Sequence, residues 1–299
     1  MPEGSAAASA ATSYAYKVIG GCEIGADVYR PRSPSGAGVM WLHGGALMMG
    51  NRGWINHELV RMLNNAGVTV ASVDYRLAPE TLLPEIAGDI EYAWAWLAGQ
   101  GTRLFGLDPA RLAVMGQSAG GYLTLLSGHT LVPWPRVLVS FYGYGDIVGD
   151  WYTKPSPFYA QMAPVSHEEA WALVGDPPIC QSGEERFPLY LHCRQLGIWP
   201  RVVSGRDPAQ EPGFFRRYSP LHNVGHGYPP TLLLHGDEDT DVPHEQSLLM
   251  AEALSRAGVE HRLITIGGGG HGFDDEVQRP AVRVALHSAV AFLSEHLGV

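Results

Sequence analysis

The residues of this chain able to do nucleophilic chemistry together are a serine, a histidine and an aspartate, each expected just past the end of a strand. Ser118 stands in Gly116-Gln117-Ser118-Ala119-Gly120-Gly121, between the apolar run 111–115 and the helix-competent run 122–126. A serine at such a strand-to-helix turn is held exposed above a sheet, and small residues two before and two after it let the backbone crowd together. The helix that follows aims free N–H groups and a positive dipole end at any anion formed beside the serine. With 37 glycines in 299 residues the pattern can also arise by chance. The remaining parts of a catalytic site must therefore be found elsewhere in the chain.

An unassisted serine hydroxyl is a poor nucleophile, so a base must take its proton. Of the 13 histidines, His271 is the candidate. It lies in a glycine-rich loop after the run 260–266, where its ring can reach over a sheet edge. The base in turn needs a carboxylate to fix its tautomer and stabilise the imidazolium. Asp237, Asp239 and Asp241 compete in the loop after the apolar run 231–234. A helix of about 14 residues leads away from that loop, roughly 21 Å. A seven-residue strand returns, roughly 23 Å, so loop and histidine finish at one edge. The spacing Gly-x-x-Asp-x-x-Val-Pro selects Asp239, with Asp241 as the alternative. His222 and His226 are four apart but flanked by glycine, with no carboxylate or cysteine to complete a metal set.

Negative charge developing on a carbonyl oxygen needs backbone N–H donors aimed at it. Ala119, directly after the serine, supplies one. The turn His43-Gly44-Gly45-Ala46, at the end of the short apolar run 39–42, is placed to supply others because glycine lets the backbone approach closely.

Positioning these groups falls to alternating elements. Strands are expected at 14–19, 23–29, 39–42, 68–73, 111–115, 137–141, 231–234 and 260–266, and helices at 54–66, 85–97, 122–128, 243–256 and 277–297. The closing helix is expected to turn Val277, Val284, Leu286, Val290 and Leu293 inward. Strand-helix alternation specifies an α/β fold with a mostly parallel central sheet flanked by helices and function at its carboxyl edge. The alternation stops over 147–228. These 82 residues hold 10 of the 22 prolines and 12 of the 29 aromatics, a composition foreign to a linker. The domain reading is a disordered tail at 1–13, a core at 14–146 and 229–299, and an inserted cap at 147–228. Trp151, Tyr152, Phe158, Trp171, Trp199, Phe214 and Phe215 are expected either to line an apolar pocket or to form the cap's own core.

Composition narrows the partners. Thirty acidic residues against 20 basic give a formal charge of −10, and the only lysines are Lys17 and Lys154. With no basic stripe, nucleic acid and anionic membrane surfaces are excluded as expected partners. No run approaches the ~18 apolar residues of a membrane span. The opening residues do not read as a signal peptide, so a cytoplasmic location is expected. Cys22, Cys180 and Cys193 are too scattered for a disulfide framework or zinc site, and free thiols are expected. No metal or organic cofactor is implied.

Taken together, His43-Gly44-Gly45-Ala46, Asp74-Tyr75-Arg76-Leu77-Ala78-Pro79-Glu80 and Gly116–Gly121 make the chain resemble the hormone-sensitive lipase-like esterases of the α/β-hydrolase fold, over 38–145 and 229–297. The resemblance implies a serine hydrolase that cleaves carboxylic esters through an acyl-enzyme, with Ser118, His271 and Asp239 as the triad. It also implies oxyanion donors at Gly45, Ala46 and Ala119, with Gly44 supporting the turn, and a small ester substrate, apolar or aromatic. Two positions depart from the group: Ala46 stands where a third glycine is usual, and Gln117 where an acidic residue is usual. The stretch 235–243 also resembles peptidases of the prolyl oligopeptidase type, and His-Gly-Gly-Ala resembles formamidases, so amide hydrolysis by the same residues is the alternative. A ligand receptor on this scaffold is a further alternative; such receptors typically lack the histidine that His271 provides.

Overall fold

A computed structural model describes residues 10–299. Eight strands form one sheet in the order β1-β2-β4-β3-β5-β6-β7-β8. They are β1 (Thr12–Ile19), β2 (Cys22–Tyr29), β3 (Gly38–Leu42), β4 (Thr69–Val73), β5 (Leu112–Gln117), β6 (Leu138–Phe141), β7 (Thr231–Gly236) and β8 (His261–Ile266). The first two pair as an antiparallel hairpin, β2 pairs antiparallel with β4, and every other pairing is parallel. The expected mostly parallel α/β sheet is the observed one. Most of the expected tail lies outside the described residues, but Thr12 and Ser13 belong to β1, paired with Val28 and Asp27.

Short apolar runs become central strands because both sheet faces are covered. In β3, Val39 and Trp41 point into one core with α1 (His57–Asn65) and α10 (Pro280–Leu297), while Met40 and Leu42 point into the other. That second core holds α2 (Leu83–Phe105) and α3 (Ala119–Thr130), and α9 (Glu245–Arg256) contributes Met250 and Leu254 to it. The chain reaches β3, steps to β4 on one side, then crosses to β5 on the other. Strand order therefore reverses at β3, which opens a crevice at the carboxyl ends of β3 and β5.

Three element readings need correction. The second helix runs to Phe105 rather than 97, because Gly99 and Gly101 do not stop it. Phe105 is buried and anchors the last turns, and the stop is Gly106 in a left-handed conformation. The first helix starts at His57, where Asn56 caps it by accepting from the Leu59 N–H. In the closing helix Val284 is 64% exposed and faces outward; the inward stripe is Val282, Ala285, Leu286, Ala289, Phe292 and Leu293.

Between β6 and β7 the chain forms five short helices: α4 (Asp150–Thr153), α5 (His167–Trp171), α6 (Phe187–Leu196), α7 (Trp199–Ser204) and α8 (Pro212–Arg217). Tyr152, Trp199 and Phe215 are fully buried and continuous with the core on the α2/α3 face. The three cysteines are free thiols. Among the described residues, no helix is long and apolar enough to cross a membrane.

Candidate active site

At the end of β5 the backbone turns through Ser118 with φ 53° and ψ −119°, and α3 begins at the next residue. A non-glycine residue held there is strained, a conformation that persists only where its surroundings enforce it. The enforcement comes from close packing of the turn against β3. A Cβ on Gly120 would lie 2.0 Å from the Leu42 carbonyl oxygen, and one on Gly116 would lie 2.5 Å from the Gly120 oxygen. Gly116 and Gly120 are glycines because no side chain fits.

His271 lies in the loop after β8 and bridges the other two candidates. Its Nε2 is 3.0 Å from Ser118 Oγ and its Nδ1 is 2.8 Å from Asp239 Oδ2. The other oxygen of Asp239 accepts the backbone N–H groups of Asp241 (2.8 Å) and Val242 (2.9 Å). Buried His235 stands 3.3 Å from Asp239 Oδ2 while contacting Ser247 Oγ and the Val242 carbonyl. Burial works against the Asp239 charge, but the bonds from His235 and His271 outweigh it and hold the carboxyl well below the usual range. For His271, burial disfavours the imidazolium. The carboxylates of Asp241, Asp239 and Asp274 more than offset this and raise its pKa above the ordinary value.

The aspartates of the acid loop separate by their contacts. Asp237 ties the two loops together, its carboxylate accepting the Gly268 N–H at 2.7 Å. Asp239 takes the Nδ1 side of the imidazole. Asp241 stands on the opposite side, 3.5 Å from Nε2. A further buried carboxylate, Asp274, accepts from the Tyr142 hydroxyl, and the Tyr142 ring packs edge-on against His271 with centroids 4.6 Å apart.

The turn after β3 faces Ser118. Gly45 has φ 102°, and a Cβ there would sit 2.2 Å from the Met49 carbonyl oxygen. A Cβ on Gly44 would come within 3.2 Å of Ser118 Cβ, so the turn lies directly against the serine. The N–H groups of Gly45, Ala46 and Ala119 have no acceptor among the described residues. His43 is wholly buried beneath the turn, stacked on Tyr75 with centroids 4.2 Å apart, its Nδ1 2.7 Å from the Gly44 carbonyl. Burial pushes its pKa down to about 4, so it is neutral at physiological pH. From above, the Trp199 indole N–H donates to the Ala46 carbonyl at 2.9 Å.

The stretch 74–80 does not line the pocket; it fastens the layers. Asp74 accepts from Arg52 and from Gln181, Arg76 pairs with buried Asp89, and Glu80 forms a buried ion pair with Arg186 of the helical insertion.

A cavity of about 590 Å³ opens over these groups. Ser118, His271, Gly44, Gly45 and Ala46 form its floor, Tyr159, Glu184, Phe187 and Tyr190 line it from the segment between β6 and β7, and Thr240 and Asp241 line it from the acid loop. None of the seven aromatics expected either to line a pocket or to form a core of their own is among the lining residues. Tyr152, Trp199 and Phe215 are fully buried and belong to the core on the α2/α3 face. Sequence reasoning missed His235, Arg194 and Tyr142. Only His235 left a signal, as the residue directly after the expected strand 231–234; it lies in β7.

The residues 39–168 match a family model described as the alpha/beta hydrolase fold, and 194–299 match the prolyl oligopeptidase family. The chain is 29% identical to esterase LipC of Mycobacterium tuberculosis, covering 83% of this chain and 56% of that protein. It is also 29% identical to the non-reducing polyketide synthase Preu6 of Preussia isomera, over 87% of this chain and 13% of the synthase. The chain thus spans only part of the length of both curated relatives. Among solved structures it resembles EstE1, a thermophilic carboxylesterase cloned from a metagenomic library, with a TM-score of 0.72 at 26% identity, covering 97% of this chain and 90% of that one. The chain has the α/β-hydrolase fold, and the proteins it is similar to include carboxylesterases.

Proposed function

We propose that the chain hydrolyses carboxylic esters through an acyl-enzyme on Ser118, with His271 as base and Asp239 as its orienting carboxylate. The observation that carries this reading is the continuous contact line Ser118 Oγ, His271 Nε2, His271 Nδ1, Asp239 Oδ2 at 3.0 and 2.8 Å under an open cavity. As Ser118 Oγ bonds to the ester carbonyl carbon, its proton passes to Nε2. The oxyanion is received by the N–H groups of Gly45, Ala46 and Ala119. Collapse breaks the bond to the alcohol oxygen, which leaves with the proton from Nε2. Water then repeats the sequence on the acyl-enzyme, releasing the acid and restoring Ser118. Three backbone donors are suited to this charge, and losing one such donor typically costs on the order of 10²–10³ in kcat.

The match of 194–299 to the prolyl oligopeptidase family favours amide hydrolysis as the second reading. Turnover of a p-nitrophenyl ester against the matched p-nitroanilide separates the two. The ester reading expects ester kcat/KM to exceed that of the anilide by at least 10³. Comparable values would assign the site to amides.

The base role also fixes a pH dependence. His271 must be neutral to accept the proton, and its pKa is raised. The acid limb of kcat/KM is therefore expected to have its midpoint above the ordinary histidine value of about 6.5. The same shift acts on stability with the opposite sense: the stabilisation from protonated His271 is present at low pH and is lost as pH rises through the folded-state pKa. A pH–rate profile with its acid midpoint below that of free histidine would contradict the role.

A further inference from the structure

Asp241 is more elaborately held than its place in a loop requires. The guanidinium of Arg194, on α6, donates to Asp241 Oδ1 at 2.6 Å and to its backbone carbonyl at 3.1 Å, and Tyr190 donates to the same Oδ1 at 2.5 Å. Arg194 is itself buried in a cage of rings, with Trp151, Tyr152, Tyr159 and Tyr190 between 4.9 and 5.6 Å from its central carbon. All these bonds go to one carboxylate oxygen and the backbone. The other oxygen, Oδ2, is turned toward the catalytic cavity, 3.5 Å from His271 Nε2. A stacked, buried guanidinium loses little freedom in fixing a carboxylate, so Oδ2 is presented in a set position.

The position matters because Nε2 is the atom that hands its proton to the leaving alcohol. A carboxylate oxygen beside it stands next to the alcohol part of the substrate. The rest of the cavity agrees in sign. Glu184 and Asp275 also line it, neither makes an ion pair among the described residues, and no lysine or arginine lines it. Its walls are faces and edges of Trp54, Tyr159, Phe187 and Tyr190, surfaces that attract a desolvated cation. Arg194 pairs with Oδ1, but a neutral apolar alcohol would desolvate Oδ2 and offer it no partner, whereas an ammonium group answers Oδ2, the unpaired carboxylates and the rings.

We propose that the preferred substrates are esters whose alcohol carries an amine cation, with Asp241 as the specificity-determining residue. This rests on the ester hydrolase reading above. It replaces the sequence-based expectation of an apolar or aromatic ester with a cationic one.

The test compares choline butyrate with neohexyl butyrate, in which carbon replaces the quaternary nitrogen and shape is retained. The choline ester is expected to be favoured tenfold or more in kcat/KM, chiefly through KM, with the advantage shrinking as salt is added. Asp241→Asn should bring the ratio of the two esters toward one. Because each variant is read as a ratio, a change in overall activity does not obscure the result. Should Asp241→Asn not fold, the double variant Glu184→Gln, Asp275→Asn, at exposed positions, is expected to lower the ratio several-fold. A wild-type ratio at or below one, or a ratio untouched by these variants, overturns the proposal. If neohexyl butyrate is hydrolysed and Ser118 reacts with a fluorophosphonate while the ratio is one, the cation preference fails and the esterase reading stands. If neither ester is hydrolysed and Ser118 does not react, both fail.

Discussion

Ser118→Ala is expected to lower kcat for a short p-nitrophenyl ester by on the order of 10⁶, leaving a residual rate roughly 10³ above water. The residue makes only one side-chain contact that alanine removes, the 3.0 Å bond to His271 Nε2. The turn around it is fixed by other atoms: its N–H donates to the Phe141 carbonyl, its carbonyl accepts from Tyr122, and Gly116 and Gly120 are packed against β3. The fold should therefore persist, with Tm within a few degrees of wild type. Relief from losing one hydroxyl does not change φ, so the strain at position 118 remains in the variant. Residual activity above a hundredth of wild type, in a folded sample free of wild-type protein, would remove Ser118 from the mechanism.

The second large effect is at Asp239, and it separates this residue from Asp241, which the spacing alone leaves in competition. Asparagine at 239 can keep its carbonyl oxygen on the N–H groups of Asp241 and Val242, which Asp239 Oδ1 accepts at 2.8 and 2.9 Å. Its amide NH₂ then faces His271 Nδ1. The ring responds by accepting at Nδ1 and carrying its proton on Nε2, toward Ser118, the tautomer that cannot act as base. A loss of about 10⁴ in kcat is expected on this ground. Asp241→Asn leaves the Nδ1 contact intact, so its loss on a neutral ester should be smaller by at least a hundredfold. Because Asp241 also raises the His271 pKa, that variant should move the acid limb of the pH profile downward. Equal losses at the two positions would mean that the acid has been misassigned.

Much of this site was legible from residue types because backbone geometry leaves so little choice. Gly120 can only be glycine with Leu42 O 2.0 Å from a would-be Cβ, and Gly45 can only be glycine at φ 102° against Met49. Constraints of that kind write themselves into sequence as short fixed patterns. The central strands were legible for a related reason: both faces of β3, β5 and β7 are covered, so each appears as an uninterrupted apolar run. The comparison of helix and strand lengths brought the acid loop and His271 to one edge, where the two loops bond to each other through Asp237 and Gly268.

What could not be read was anything decided by packing between distant segments. Trp199 and Tyr152 are large rings in an irregular stretch. Whether such rings line a cavity or fill a core depends on helices whose mutual placement no local period encodes. Arg194 had no motif at all, since its four ring neighbours come from α4, α6 and the segment between α4 and α5. Val284 fell on the wrong side because the stripe of α10 includes alanines, Ala285 and Ala289, that count little in an apolar tally yet sit wholly against the sheet. Gln117, at a position where similar esterases usually carry an acid, lines the same cavity. Its neutral side chain leaves Asp241, Glu184 and Asp275 as the carboxylates lining that cavity.

The central claim is that Ser118 is the atom donor of a covalent intermediate. The most direct measurement is reaction of the folded protein with a fluorophosphonate, followed by peptide mapping of the adduct. One phosphonyl group is expected per chain, on the peptide containing Ser118, with ester turnover falling in step with labelling and no adduct in Ser118→Ala. Labelling at another residue, or ester turnover that continues after Ser118 is fully modified, would contradict the account.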